Sequence, residues 1–103
     1  MQEVSNALDN NPIVLLYFFS DDCAPCKVLR EKIRQLPLDN FPLVKVVFIP
    51  GKENPEICAR YRVLSLPVLM LMAEGKEHRR YGIHTSVNEI TQEIIRLEQM
   101  LKP

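Results

Sequence analysis

The sequence of 103 residues lacks an excess of charge of either sign, because thirteen basic residues balance thirteen acidic ones. Without a basic block, or basic residues interleaved with aromatic ones, neither nucleic acid nor an anionic membrane surface is expected as a partner. The longest apolar run is much shorter than the roughly eighteen residues of a membrane span. The first residues form neither a basic nor an apolar segment. We therefore expect no signal peptide and a cytoplasmic location.

Metal-binding side chains are also scarce, since the chain has only three cysteines and two histidines. Structural zinc sites take four ligands. Besides the close pair Cys23 and Cys26, the candidates are Cys58, His78 and His84, and none of them is paired at a ligand spacing. We expect no metal, with a zinc half-site at the close pair as an alternative. The histidines are expected at the surface.

The most informative stretch begins with seven consecutive apolar residues, Ile13 to Phe19. Such a run predicts a strand buried on both faces, and open α/β sheets carry their functional sites at the carboxyl ends of such strands. A polar break at residues 20–22 leads to Cys23 and Cys26, and Leu29, Ile33 and Leu36 then follow at helical spacing. The cysteines are therefore predicted to lie where a central strand gives way to a helix.

The position of the two cysteines at the start of a helix predicts that their thiols are reactive and that they differ in pKa and in accessibility. With Cys23 as the N-cap, Pro25 falls in the first turn, where its missing N–H is no loss. The two Cα atoms would then lie about 5.5 Å apart, within the range of a disulfide. The helix N-terminus stabilises a thiolate on Cys23, whereas Cys26 lies one turn inside. The pattern predicts Cys23 as the nucleophile and Cys26 as the resolving thiol.

The rest of the sequence predicts a single α/β domain over residues 1–103, with the element order α-β-α-β-α-β-β-α. Its closing helix begins at Thr85 or Ser86, because Ser86 and Glu89 have the spacing of a capping box. The other predicted elements are a helix over Gln2–Asp9, a strand over Leu43–Ile49 that is buried, a helix from an Asn54 cap to about Tyr61, and a hairpin of Val68–Ala73 and Glu77–Tyr81.

The segment Cys23-Ala24-Pro25-Cys26-Lys27 resembles the Cys-Gly-Pro-Cys-Lys active site of thioredoxins. The resemblance covers nearly the whole chain from Ile13 onward, including Leu66-Pro67 before a strand, the turn Glu74-Gly75-Lys76, and Gly82. It implies a thioredoxin-like fold with a trimmed four-stranded mixed sheet, because the usual leading strand has no room here. It also implies a cis bond before Pro67 and a set of residues that shape the site or bind substrate: Ala24, Pro25, Leu66, Pro67, Gly82 and Ile83.

The resemblance further implies a thiol–disulfide oxidoreductase that cycles Cys23 and Cys26 between dithiol and disulfide through a mixed disulfide. No cofactor is expected. The expected partners are protein disulfides as substrates and a thioredoxin reductase or another dithiol as donor, with the chain acting as a monomer. The alternative from another class is a binding or scaffolding module that keeps the fold and an inactive cysteine pair.

Several positions depart from the thioredoxin pattern. The tryptophan before the first cysteine is Asp22 here, and Asp21 adds a second charge that opposes ionisation of Cys23. The buried aspartate that thioredoxins carry on the central strand, with a lysine nearby, is replaced by Tyr17 and Phe48. Deprotonation of Cys26 must then depend on water or another group. Cys58 takes the place of a small core residue and is predicted to be inert.

Overall fold

The computed structural model describes residues 2–101, and the predicted order of helices and strands is confirmed. No helix in that range is long and apolar enough to cross a membrane. A short 3₁₀ turn, Leu38–Asn40, precedes the second strand. The elements are α1 (Gln2–Asn10), β1 (Ile13–Phe19), α2 (Ala24–Arg34), β2 (Val44–Pro50), α3 (Pro55–Arg60), β3 (Val68–Ala73), β4 (Lys76–Tyr81) and α4 (Val87–Leu101).

The four strands form the predicted mixed sheet in the order β2-β1-β3-β4. Strand β1 is parallel to β2 and antiparallel to β3, and every one of its seven residues is buried. Alternate residues of β1 enter two cores, as the period of a strand requires. The core that includes Tyr17 packs against α2 and α4, whereas the core that includes Phe18 packs against α1 and β2. The central strand thus holds both layers of the fold together.

The prediction that the second strand is buried was wrong in part. Strand β2 lies at an edge of the sheet, and only Val47 and Ile49 are buried on it. Phe48 keeps 45% of its surface exposed. Within residues 2–101, β2 has a neighbouring strand on one side only, so its apolar sequence alone does not bury it.

The helix termini follow the predicted chemistry at α4 but not at α3. The N–H of Glu89 donates to Ser86 Oγ at 3.0 Å, and the Glu89 carboxylate accepts from the N–H of Ser86 at 3.2 Å, which is the predicted capping box. Asn54 occupies the N-cap position of α3, but its side chain donates to the carbonyl of Pro50 at 2.9 Å. Asn54 therefore ties α3 back to β2 instead of capping the helix.

His78, which we expected at the surface, is half-buried and has a partner on α4. Its imidazole contacts the carboxylate of Glu93, which also pairs with Arg96 at 2.5 Å and with Arg79 at 3.6 Å. The hydrogen bond from Arg96, followed by that from His78, lowers the pKa of Glu93 from 4.5 to about 2. These contacts join β4 to α4.

The depressed pKa of Glu93 predicts part of the acid sensitivity of the fold. A carboxyl whose pKa is lower in the folded state stabilises the protein above its unfolded pKa, and this contribution is lost as the pH falls. For Glu93 the loss runs from about pH 4.5 down to about pH 2. Urea unfolding should therefore show a shallower loss of stability across that window in Glu93→Gln than in the wild type or in the exposed control Glu53→Gln. Equal slopes in all three proteins would contradict the assignment.

Candidate active site

Cys23 and Cys26 form a disulfide at the junction of β1 and α2, with Cα atoms 5.2 Å apart. Cys23 is the N-cap of α2, Pro25 lies in the first turn, and Cys23 Sγ accepts a hydrogen bond from the N–H of Cys26 at 3.1 Å. The predicted N-cap role of Cys23, the place of Pro25 in the first turn and a Cα spacing that permits a disulfide are confirmed. Cys23 is half-buried, whereas Cys26 is only 2% exposed. The two cysteines therefore differ in exposure to solvent.

Three chain segments lie against the core that contains Cys26. Cys23, Leu66 and Ile83 all pack against the hydrophobic core that contains Cys26. The peptide bond between Leu66 and Pro67 is cis, the isomer that the thioredoxin resemblance implied. The α2 terminus, the loop before β3 and the loop after β4 thus lie against one core.

The remaining predicted site residues lie near the surface. Ala24, Pro25 and Gly82 are exposed, and Pro67 is half-buried. A methyl group added at Gly82 would meet no atom within 4 Å, and its φ lies outside the left-handed region. The structure gives no steric reason for glycine at this position, so its role at the site stays a prediction.

Lys32 is a residue of the site that sequence reasoning missed. From the side of α2 its ammonium group donates to the carbonyl oxygens of Ile83 and of Thr85, the latter at 2.7 Å. These bonds join the helix that carries the cysteines to the loop beside them. No local signal reveals this contact, because the partners lie more than fifty residues further along the chain.

Removal of the Lys32 ammonium group should loosen that loop. Lys32→Met is expected to lower the free energy of unfolding by about 1.5 kcal/mol, because two carbonyls lose a charged donor. Lys27→Met, which alters an exposed lysine of the same helix, should change it by less than about 0.5 kcal/mol. Urea unfolding of the oxidised proteins measures both values. Equal effects of the two substitutions would show that Lys32 does not hold the loop.

The negative charge of Asp22, the residue before Cys23, is offset by Lys52, a contact that the sequence did not reveal. Asp22 accepts hydrogen bonds from Lys52 Nζ at 2.6 Å and from Ser20 Oγ at 2.5 Å. The Lys52 bond, followed by the Ser20 bond, lowers the pKa of Asp22 to about 2. The ammonium group of Lys52 thus offsets the carboxylate that replaces the tryptophan of thioredoxins, and this weakens the predicted opposition to a Cys23 thiolate.

Tyr17 and Phe48 take the positions of the missing acid and lysine. They are register partners on β1 and β2, and their rings meet edge to face at 5.8 Å. The Tyr17 hydroxyl donates to the carbonyl oxygen of Cys26. Arg30 lies over this aromatic group, with its guanidinium carbon 4.6 Å from the centre of the Phe19 ring. The predicted proximity of Tyr17 to Cys26 is confirmed, and an aromatic cluster with a cation fills the place of the buried acid.

Cys58 lies on α3, away from the disulfide. Its Sγ is 3.7 Å from the carbonyl oxygen of Gly51, and burial raises the pKa of its thiol. It packs against the core on the α1 face of the sheet. A half-buried thiol with a raised pKa is a poor nucleophile, which supports the prediction of inert packing.

No three His, Cys, Asp or Glu side chains of residues 2–101 are grouped so that they could hold a metal ion. Neither His78 nor His84 joins such a group with the cysteine pair. The alternative of a zinc half-site therefore finds no third ligand in this part of the chain.

A mixed sheet with a Cys-x-Pro-Cys disulfide at the N-terminus of the helix after its central strand defines a thioredoxin-fold dithiol protein. The family described as Thioredoxin matches residues 1–96 of the sequence. The chain belongs to the thioredoxin family, and with its cysteine pair it is a thiol–disulfide oxidoreductase of that family.

Individual relatives agree with this assignment. A thioredoxin of Rickettsia bellii is 35% identical over 72 residues, which is 69% of each chain. A thioredoxin of Pyropia yezoensis is 35% identical over 75 residues, covering 73% of this chain and 67% of the relative. Among solved structures, a thioredoxin variant from Halobacterium salinarum superimposes with a TM-score of 0.83 at 24% identity, over all of this chain and 88% of the other. The last match supports the fold.

Proposed function

We propose that the chain reduces disulfides of other proteins through a mixed disulfide on Cys23, which Cys26 then resolves. The Cys23 thiolate attacks one sulphur of the substrate and displaces the other as a thiolate. Cys26 then attacks Cys23 Sγ, the Cys23–Cys26 disulfide forms, and the substrate sulphur that was bonded to Cys23 leaves with the electron pair of the broken bond. The observation that carries the proposal is the unequal access of the bonded pair, half-buried at Cys23 and buried at Cys26.

Turnover then requires a donor that returns two electrons to the Cys23–Cys26 disulfide. A thioredoxin reductase or another dithiol of lower potential would supply them. We propose that the chain works as a monomer in a reducing compartment such as the cytoplasm, where such donors keep dithiols reduced. No bound cofactor takes part, because the reacting atoms are the two sulphurs of the chain and those of the substrate.

Reduction of insulin with dithiothreitol as donor tests this function. The wild type should accelerate the precipitation of the reduced insulin chains over dithiothreitol alone, and it should do so catalytically. The matched control is Cys23→Ser, which removes only the sulphur of the nucleophile and should give the rate of dithiothreitol alone. If the wild type also gives only that rate, the chain is a binding or scaffolding module instead.

A further inference from the structure

The proposed cycle requires Cys26 to lose a proton, and the residues around it define how this occurs. Tyr17, which stands where thioredoxins carry an acid, already donates its hydroxyl proton to the carbonyl of Cys26. Burial raises the pKa of this phenol, while the nearby Arg30 cation opposes that shift. Tyr17 therefore stays a neutral phenol near pH 7 and is not a base for the Cys26 thiol.

Cys26 lines a small cavity where β1 gives way to α2. The volume of this cavity is about 60 Å³. This space is large enough to admit water. Polar and charged side chains supply the partners that such water needs. The cavity is lined by Phe19, Ser20, Asp21, Cys26, Lys27 and Arg30.

Arg30 is the cation that the structure fixes at this cavity. It follows Cys26 by four residues, so the two side chains lie on the same face of α2. Its guanidinium carbon lies 4.6 Å from the Phe19 ring centre, 5.8 Å from that of Phe48 and 5.9 Å from that of Tyr17. The guanidinium group of this exposed residue thus lies within cation–π distance of three rings, and it remains protonated at every relevant pH.

We propose that Cys26 passes its proton to water in this cavity and that Arg30 stabilises the resulting thiolate across it, as a positioning residue for the resolving step. This inference rests on the proposed function, because it concerns the second half of the mixed-disulfide cycle. The proton goes from Cys26 Sγ to water and then to solvent. The thiolate attacks Cys23 Sγ, and the substrate sulphur leaves with the electron pair of the broken bond.

The other charged groups around Cys26 predict the sign of each substitution. Lys27 and Arg30 on α2 favour a thiolate, whereas the Asp21 carboxylate before α2 opposes it. Tyr17 on β1 is neutral, and Cys23 is uncharged while it is bonded to substrate. Loss of the Arg30 charge should therefore slow the resolving step at neutral pH, and loss of the Asp21 charge should speed it or leave it unchanged. If Asp21 were instead the base, its loss would slow the step.

The experiment follows both steps in one reaction. All variants carry Cys58→Ser as the background, so that Cys23 and Cys26 are the only thiols that can react. Reduced protein is mixed with one equivalent of dithiodipyridine, an uncharged disulfide whose two thiopyridone products absorb light. The first phase reports attack by Cys23, and the second reports resolution by Cys26. Both rates are measured against pH for the background protein, Arg30→Met, Arg30→Lys and Asp21→Asn, with thermal unfolding of each as a check of folding.

Arg30→Met is expected to slow the second phase about tenfold at pH 7 and to move its pH midpoint up by about one unit. In Arg30→Met the rate of the first phase should change much less. Arg30→Lys should keep most of the wild-type rate in the second phase, and Asp21→Asn should not slow that phase. An unchanged second phase in Arg30→Met, an Arg30→Lys as slow as Arg30→Met, or a slow Asp21→Asn would each overturn the role of Arg30. Loss of both phases in the background protein would overturn the proposed function itself.

Discussion

Cys23→Ser is expected to abolish disulfide reduction, and Cys26→Ser to accumulate a stable mixed disulfide with the substrate. The reason is geometric, because the half-buried Cys23 is reached first and the buried Cys26 only from within the chain. Turnover in Cys23→Ser should fall to the rate of dithiothreitol alone, since the remaining half-buried thiol, Cys58, has a raised pKa and lies away from the pair. Turnover of insulin and mass spectrometry of the trapped adduct measure the two outcomes.

Cys58→Ser is the matched control, because it removes the remaining cysteine without touching the pair. It should keep full turnover and trap no substrate. A mixed disulfide on Cys26 in Cys23→Ser would reverse the assigned roles. A loss of turnover in Cys58→Ser would show that the third thiol takes part in the reaction.

Tyr17→Asp is expected to lower the free energy of unfolding by about 4 kcal/mol. The ring is fully buried and stacks on Phe19 with centroids 5.3 Å apart, and loss of a buried aromatic side chain costs about 3 to 5 kcal/mol. The introduced carboxylate would add a desolvation penalty, which pairing with Arg30 would offset in part. Urea unfolding of the oxidised protein measures the change.

Tyr17→Phe separates the hydroxyl from the ring. It removes only the hydrogen bond to the carbonyl of Cys26, so the expected loss is about 1 kcal/mol. If Tyr17→Asp were as stable as Tyr17→Phe, the ring would not be a core element at this position. The place of the missing acid would then tolerate a carboxylate, as it does in thioredoxins.

The order of elements was predictable because its signals are local. The seven apolar residues of β1, the spacing of Ser86 and Glu89, and the Asn54-Pro55 start of α3 each act within a few residues. The exposure of Phe48 was not predictable from β2 alone. It follows from the order of strands in the sheet, which is a property of contacts between distant segments.

The same distinction applies to the active site. The N-cap role of Cys23 and the buried position of Cys26 follow from a strand, a break and a helix in direct succession. The contacts of Lys32 with the Ile83 loop and of Lys52 with Asp22 span 51 and 30 residues, so no local pattern contains them. The contact of Arg30 with the Phe48 ring depends on how β2 pairs with β1, so the helical spacing of α2 does not reveal it.

The reduction potential of the Cys23–Cys26 couple tests the central claim most directly. Protein equilibrated in glutathione buffers of graded potential is quenched with an alkylating reagent, and the oxidised fraction is read from its mass. A single two-electron transition is expected, with about 30 mV for each tenfold change in the ratio of the two forms. Its midpoint should fall between about −270 and −120 mV, a range set by characterised oxidoreductases rather than by this structure. A pair that stays oxidised or reduced at every potential in that range would contradict it.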